Sequence, residues 1–274
     1  MSGPAERVWA TARYEGARMT GRLKTRLALA ALPFLTVLPV ALIVIGAPPE
    51  RRVSIENARA IAKVITRAYD IDVARHLYGC PTVLLWLTLV TLNLTPTLTL
   101  AVAYDMVSAD VRSGAIGMML TRSSRLELMV GKAFAATAVF CAVLGVTHAM
   151  VWAVAIGRGY DSPLLMLKWG CLLLCATCGV GMANLAVWML VSSLSRRPIV
   201  CFWVGFGVLS LLTGLHAEAH AKAPSWDGFT PVSVDGLLLS GQALRQWRGV
   251  GVIVAWYVAC LLSAATCLRV RDLR

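Results

Sequence analysis

The sequence predicts an all-α, polytopic membrane protein, and three observations lead to this fold class. Hydrophobic residues make up 58% of the 274 residues and charged residues only 15%, whereas water-soluble domains hold about 45–50% apolar and about 25% charged residues. The mean hydropathy, +0.71, is correspondingly high. Six stretches contain no Asp, Glu, Lys or Arg, and each has the roughly 20 residues that a helix needs to cross a lipid bilayer.

These stretches predict six transmembrane helices in one membrane domain that covers residues 1–274. About 20 residues at a rise of about 1.5 Å per residue match a hydrocarbon core of about 30 Å. A helix also satisfies its own backbone hydrogen bonds, as lipid requires. We expect the spans to cover residues 27–46, 81–104, 133–156, 169–194, 198–215 and 250–268.

Two segments outside the spans have the pattern of helices that lie along the membrane surface. Residues 1–26 form a basic tail in which Val8, Trp9 and Tyr14 would suit an interfacial helix, and a disordered tail is the alternative. The tail lacks the short apolar region and cleavage site of a signal peptide, so we expect the first span to be retained. The loop over residues 50–76 predicts an amphipathic helix, because apolar residues recur at helical spacing at Ile55, Ala58, Ala62, Ile65 and Tyr69.

The basic residues predict the orientation of the chain. The tail, the second-to-third and fourth-to-fifth loops and the C-terminus carry 15 of the 26 Lys and Arg residues. The positive-inside rule then places both termini in the cytoplasm of a multi-pass protein in the inner (plasma) membrane. The net charge of +12 is scattered over the loops, so it indicates the anionic headgroups of the lipid bilayer as partner and not nucleic acid.

The segment Tyr104–Lys132, here called the connecting segment, differs from the other loops. It joins the second and third spans, carries both charge signs and is dense in Gly and Ser. An acidic residue, a Gly, an apolar stretch, a Ser-Arg pair and a Gly-Lys pair follow one another in it. With the neighbouring Arg122, these positions are Asp110, Gly114, Leu120, Ser124, Arg125, Gly131 and Lys132.

This pattern resembles the cytoplasmic segment of the ATP-binding-cassette type-2 permease family, where it forms the coupling helix that docks on the ATPase. The chain departs from the family at Asp110, where Glu is usual, and at Ala115 and Ile116, where Thr-Leu is usual. The six-span layout, the basic tail and the stretch 229–240 before the last span share the resemblance. A short, rigid cytoplasmic element is also what a membrane domain needs if a separate ATPase drives it.

The resemblance implies a permease subunit of an exporter, working as a homodimer or beside a similar permease. The chain itself has no phosphate-binding G-x-x-x-x-G-K-[ST] motif, because Gly131-Lys132 lacks the upstream Gly and is followed by Ala133. ATP and Mg²⁺ would therefore be used by a partner ATPase subunit. Zinc-protease and serine-hydrolase motifs are also missing, so we expect no enzyme activity, no catalytic residue and no cofactor in this chain.

The second span is unusually polar for a helix in lipid. Its hydroxyl and amide residues suggest a helix that faces protein or water, and packing against another helix through i−4 hydrogen bonds is the alternative. For a transporter, the candidate path-lining residues are Thr91, Asn93, Thr95 and Thr99.

A second function class stays open, an integral membrane protein that handles a copper-type metal or acts as an enzyme without an ATPase. Its candidate ligands are a stripe of sulfur residues in the fourth span and the pair His216 and His220. Close packing of the sulfur residues and solvated histidines are the favoured interpretations, so no metal ligand is assigned. His148 lies at lipid depth and is expected to make a buried hydrogen bond. The sulfur stripe comprises Cys171, Cys175, Cys178, Met182 and Met189.

Overall fold

The computed structural model describes residues 3–21, 69–159, 161–222 and 234–272, together with positions 30 and 65, and it leaves aside the side chains of 101, 216–222 and 271–272. Every regular element in these ranges is an α-helix. The helices are α1 (Pro4–Gly21), α2 (Ile71–Leu77), α3 (Thr82–Ala103), α4 (Ser108–Ser113), α5 (Ala115–Leu120), α6 (Arg125–Gly157), α7 (Pro163–Leu194), α8 (Pro198–Lys222), α9 (Val234–Leu238) and α10 (Ala243–Asp272).

Five of the described helices, α3, α6, α7, α8 and α10, are long and apolar enough to cross a membrane. They correspond to the predicted spans from the second to the sixth. The predicted first span, 27–46, and most of the predicted loop helix over 50–76 lie outside the described residues. The all-α class is confirmed, and the chain has the architecture of a multi-pass membrane protein.

Several of these helices extend beyond the predicted spans. The helix α6 begins at Arg125, eight residues before the predicted start of its span, and α8 continues to Lys222. The prediction measured only the run without charged residues. A helix continues through the interface, where long charged side chains reach water while the backbone stays hydrogen-bonded.

The helix α7 is the centre of the bundle. Of its most apolar window 61% is buried, close to the 67% of α3 and above the 33% of α6, the 11% of α8 and the 22% of α10. It contacts α3, α6, α8 and α10. The helices α8 and α10 present large apolar side chains outward, as expected of surfaces that face lipid or another membrane subunit.

The core has two apolar clusters, one at each end of the bundle. The first includes Met19, Leu128, Phe140 and Trp188, and it lies at what we call the α1 end, where α1, α4 and α5 are found. The second includes Leu84 and other side chains beside α2 and α9, and it marks the α2 end. The connecting segment therefore lies at the α1 end.

Candidate functional site

The connecting segment forms two short helices, α4 and α5, where the sequence predicted a single coupling helix. The break falls at Gly114, whose φ of +74° lies in the left-handed region. This residue ends α4 and begins α5. A side chain at this φ costs roughly 1–2 kcal/mol, which gives a physical reason for Gly at this predicted position.

The junction between the connecting segment and α6 is closed by a capping box. The backbone N–H of Ser124 donates to Glu127 Oε2 at 2.8 Å, and the N–H of Glu127 donates to Ser124 Oγ at 3.3 Å. This arrangement satisfies two N–H groups that would otherwise lack partners at the helix start. The start of α6 is thereby fixed at the end of the loop.

The other end of the connecting segment is held by α7. The backbone N–H groups of Val107 and Ser108 donate to Ser192 Oγ at 2.9 and 3.1 Å. Ser192 is fully buried, so these hydrogen bonds are shielded from water. The start of α4 is thus attached to the central helix of the bundle.

Four charged residues from three elements meet between α1, α4 and α6, and we call them the charge cluster: Glu15, Arg18, Asp110 and Lys132. Lys132 Nζ donates to Glu15 Oε1 and to Asp110 Oδ2, both at 2.5 Å, and to the carbonyl oxygen of Met106 at 3.4 Å. All three ammonium hydrogens therefore have an acceptor.

Arg18 completes the charge cluster. Its Nη1 donates to Asp110 Oδ1 at 2.5 Å. Its Nε lies 3.3 Å from Glu15 Oε2, which is within ion-pair distance, although the two atoms are not aligned for a hydrogen bond. Two positive and two negative side chains thus balance one another.

Because the charge cluster is buried, its charged groups need one another as partners in place of water. Lys132 and Glu15 are fully buried and Asp110 is 2% exposed. Burial by itself raises the pKa of Asp110, but the charge of Lys132 and the hydrogen bonds from Arg18 and Lys132 outweigh it, so that the pKa lies below its ordinary value. Removing one partner from such a buried pair costs about 3–5 kcal/mol, since it leaves a buried charge without compensation.

A second set of contacts joins α1 to the first turns of α6. Arg7 donates from Nη2 to Glu127 Oε1 at 2.8 Å and from Nε to Oε2 at 3.1 Å, a bidentate pair. One turn further along α6, a Cβ on Gly131 would lie 2.7 Å from Thr11 Cβ. Gly131 therefore lets the two helices approach closely, which brings Lys132 within reach of Glu15.

The connecting segment exposes several residues, and we call one group of them the tip: Gly117, Met118, Thr121 and Arg122. Met118 is 72% exposed, although it is an apolar side chain outside the candidate spans. Ser124 is exposed beside the tip, and Arg125 is half-buried at the first position of α6. Exposed methionine is common at protein-binding surfaces because its flexible side chain adapts to a partner.

The structure divides the predicted coupling residues into buried and accessible positions. Asp110 and Lys132 are enclosed by α1, and neither reaches the surface in the described structure. The sequence pattern did not show this because Glu15 and Arg18 lie about a hundred residues away in the chain. The predicted residues that remain accessible are Gly114, Arg122 and Ser124.

The candidate path-lining residues divide into two groups. Thr91, Thr95 and Thr99 are buried, and each hydroxyl donates to a carbonyl oxygen of its own helix at 2.7 or 2.8 Å. Trp188 of α7 donates to Thr99 Oγ1 at 2.9 Å. Asn93 is exposed on another side of α3 and its Nδ2 donates to Leu89 O. The structure therefore packs the threonines against protein and separates them from Asn93.

The residues proposed for a metal site do not converge in the part of the chain that the structure describes. Cys171 and Cys175 are exposed on α7, and Cys178 lies near Cys141 of α6. No group of three or more His, Cys, Asp or Glu side chains suited to a metal ion occurs among the described residues.

His148 is buried and its Nδ1 donates to Leu144 O at 2.9 Å, as expected. The side chains of His216 and His220 lie outside the described part.

Sequence reasoning missed the partners that α1 supplies. Ala12, Glu15 and Met19 share one face of α1 and all three are buried, so an acidic residue in an otherwise apolar stripe was the available signal for Glu15. The spacing of Ser124 and Glu127 is that of a capping box. Nothing in the sequence pointed to Arg7.

No protein-family model and no curated protein matches this chain.

Proposed function

We propose that this chain is the membrane-spanning permease subunit of an ATP-binding-cassette transporter, driven by a separate ATPase subunit and working as an exporter. One observation carries the proposal beyond the resemblance of the connecting segment. Buried contacts attach this segment to α1, α6 and α7, while Met118 is 72% exposed at the tip. The segment has the form of a rigid element that presents the tip as a contact surface.

In this mechanism the ATPase binds the tip and the charge cluster transmits its motion. A force on Met118 and Arg122 would move α5 and α4 as the ATPase closes on ATP. Because Lys132 is bonded to both Asp110 and Glu15, α6 and α1 would move with α4. Packed elements of this kind shift as units between discrete arrangements, so the spans would tilt and open one side.

We also propose partners for this chain and a location in the membrane. Two permease subunits, either identical or similar, would enclose the path together with two ATPases that use ATP and Mg²⁺. The outward apolar face of α8, buried over only 11% of its window, offers a surface for lipid or for the second permease. Both termini would be cytoplasmic in an inner (plasma) membrane, and the chain would not itself be an enzyme.

Affinity purification of the tagged full chain from its native membrane in mild detergent tests the proposal. We expect a P-loop ATPase to be identified in stoichiometric amount. Met118→Asp should abolish its capture, because the substitution places a charge in the proposed interface. Leu244→Asp is the matched control, since Leu244 is 83% exposed on α10 and lies at the start of that helix, at the α2 end.

Two results would reject the proposal. One is ATPase capture that Met118→Asp leaves at the wild-type level. The other is a chain that purifies without an ATPase and with stoichiometric metal, which would favour the alternative function and direct attention to Cys171, Cys175 and Cys178.

A further inference from the structure

A groove of about 560 Å³ lies between the last turns of α7 and α10. Ser193 and Leu194 line its α7 side, and Ser263, Thr266, Cys267 and Val270 line its α10 side. Leu194 and Val270 are each 54% exposed, so the groove opens on the outer surface of the bundle. None of the described residues that line it is acidic.

The groove has a polar stripe within its apolar walls. The α10 residues recur at spacings of three and four, which places them along one helix face. Thr266 Oγ1 donates to Leu262 O at 2.8 Å. Ser263 is exposed, and its hydroxyl has no hydrogen-bond partner in the described part of the chain. A hydroxyl at this depth in a membrane needs an acceptor.

Three arginines lie close in the chain to residues that line the groove. Arg196 and Arg197 follow the end of α7 directly, and both are exposed. Arg269 is also exposed, and it lies three residues beyond Thr266 and therefore on the same side of α10. None of the three forms an ion pair with a described residue. Positive charge that is not paired with a described residue is therefore concentrated where two spans end.

We propose that this groove binds one anionic phospholipid of the adjacent leaflet. An acyl chain would occupy the apolar part between α7 and α10, and the phosphate would contact Arg196, Arg197 and Arg269. Ser263 lies roughly 9 Å below Arg269 along the helix, given a rise of about 1.5 Å per residue. It is therefore placed to donate to an ester carbonyl of the same lipid.

Charge complementarity favours a lipid over a second copy of the chain. Two copies that met through this groove would bring six arginines together without a carboxylate from the groove walls to balance them. Basic pockets between spans are instead typical sites for anionic headgroups. The inference does not depend on the proposed transport function, because it requires only a multi-pass membrane protein.

The site also lies beside the connecting segment. Ser193 lines the groove, and its neighbour Ser192 holds the backbone N–H groups of Val107 and Ser108. A lipid in the groove would thus contact the turn of α7 that supports α4.

Native mass spectrometry of the full chain tests the proposal with phosphatidylglycerol and phosphatidylcholine of identical acyl chains. We expect at least tenfold tighter binding of phosphatidylglycerol to the wild type. The triple variant Arg196→Gln/Arg197→Gln/Arg269→Gln should lose this preference. Arg13→Gln/Arg75→Gln/Lys168→Gln removes the same charge from exposed positions that do not line the groove and should keep it.

A second variant tests the groove without changing its charge. Ser263→Phe fills an exposed position, so it should fold, and we expect it to lose phosphatidylglycerol although all three arginines are present. A photoactivatable phosphatidylglycerol should crosslink to residues 193–197 and 262–270 of the wild type. Equal binding of the two lipids, an unaffected arginine triple variant, or crosslinks only elsewhere would overturn the proposal. So would a dimer without lipid that Ser263→Phe abolishes.

Discussion

Lys132 Nζ lies 2.5 Å from Glu15 Oε1, although 117 residues separate the two in the chain. This ion pair attaches the amphipathic α1 to the third predicted span, and Asp110 extends it to the connecting segment. Because all of these groups are buried, the pairing stabilises the fold and would also transmit motion.

Replacing Lys132 by Met should destabilise the protein by about 3–5 kcal/mol. Met retains most of the side-chain volume but leaves Glu15 and Asp110 buried without the ammonium group. Thermal unfolding in mild detergent measures the effect, with a thiol-reactive dye that reports exposure of the buried cysteines Cys80, Cys201 and Cys260.

Arg122→Gln is the control for this experiment. Arg122 is exposed at the tip, and surface substitutions usually change stability by less than about 0.5 kcal/mol. Adding Glu15→Gln to Lys132→Met should cost less than the two single effects combined, because the partners interact. Equal unfolding of Lys132→Met and Arg122→Gln would contradict the burial of the charge cluster.

Gly131→Ala should weaken the contact between α1 and α6. The added Cβ would lie 2.7 Å from Thr11 Cβ and 3.0 Å from Val8 O, and overpacking of this kind costs about 1–3 kcal/mol. Gly145→Ala on the same helix is the matched control, since no atom lies within 4 Å of its Cβ position. We expect that variant to gain roughly 0.5–1 kcal/mol, so thermal midpoints that move in the same direction would argue against close packing at Gly131.

The pH dependence of stability should report Asp110. Its pKa in the folded protein lies below the ordinary value of 3.8, so ionised Asp110 contributes stability that is complete above this value. The contribution is lost as pH falls through the lower folded pKa. The difference in unfolding midpoint between the wild type and Asp110→Asn should be constant from about pH 7 to about pH 5 and shrink below about pH 4. A difference that shrinks already at neutral pH would be inconsistent with this pairing.

Thr99→Val distinguishes helix packing from path lining. Val has nearly the same shape, but it leaves the buried indole N–H of Trp188 without its acceptor, at a cost of about 1 kcal/mol. Thr97→Val on the exposed side of α3 should be neutral. If thermal unfolding finds both variants equal to the wild type, the hydrogen bond between α3 and α7 does not stabilise the bundle.

The fold class could be predicted because lipid imposes simple rules on sequence. In lipid, a long run without charged residues is expected to form a helix that spans the bilayer. The helices α3, α6, α7, α8 and α10 coincide with such runs. Helix ends were less predictable, since charged residues such as Arg125 and Lys222 continue the helices into the interface. Gly114 was identified as part of the connecting segment. Its left-handed backbone, which divides the helix, could not be predicted because the φ angle does not follow from composition.

The candidate site was only partly predictable for a similar reason. The pattern from Asp110 to Lys132 identified half of the charge cluster. The other half, Glu15 and Arg18, comes from a tail that local sequence treated as separate. Long-range pairing of buried charges leaves no periodic pattern in the sequence. Only the structure therefore showed that Asp110 and Lys132 face α1 and that the tip is accessible.

If the tip binds an ATPase and the charge cluster transmits its motion, the permease should alter the ATP hydrolysis rate of the purified complex in lipid nanodiscs. We expect Glu15→Gln, which keeps the side-chain shape, to retain stoichiometric ATPase and to lose the change in hydrolysis rate that the wild-type permease causes. We expect Met118→Asp to lose the ATPase itself. Wild-type regulation of hydrolysis in Glu15→Gln, or an ATPase that remains bound to Met118→Asp, would contradict the account.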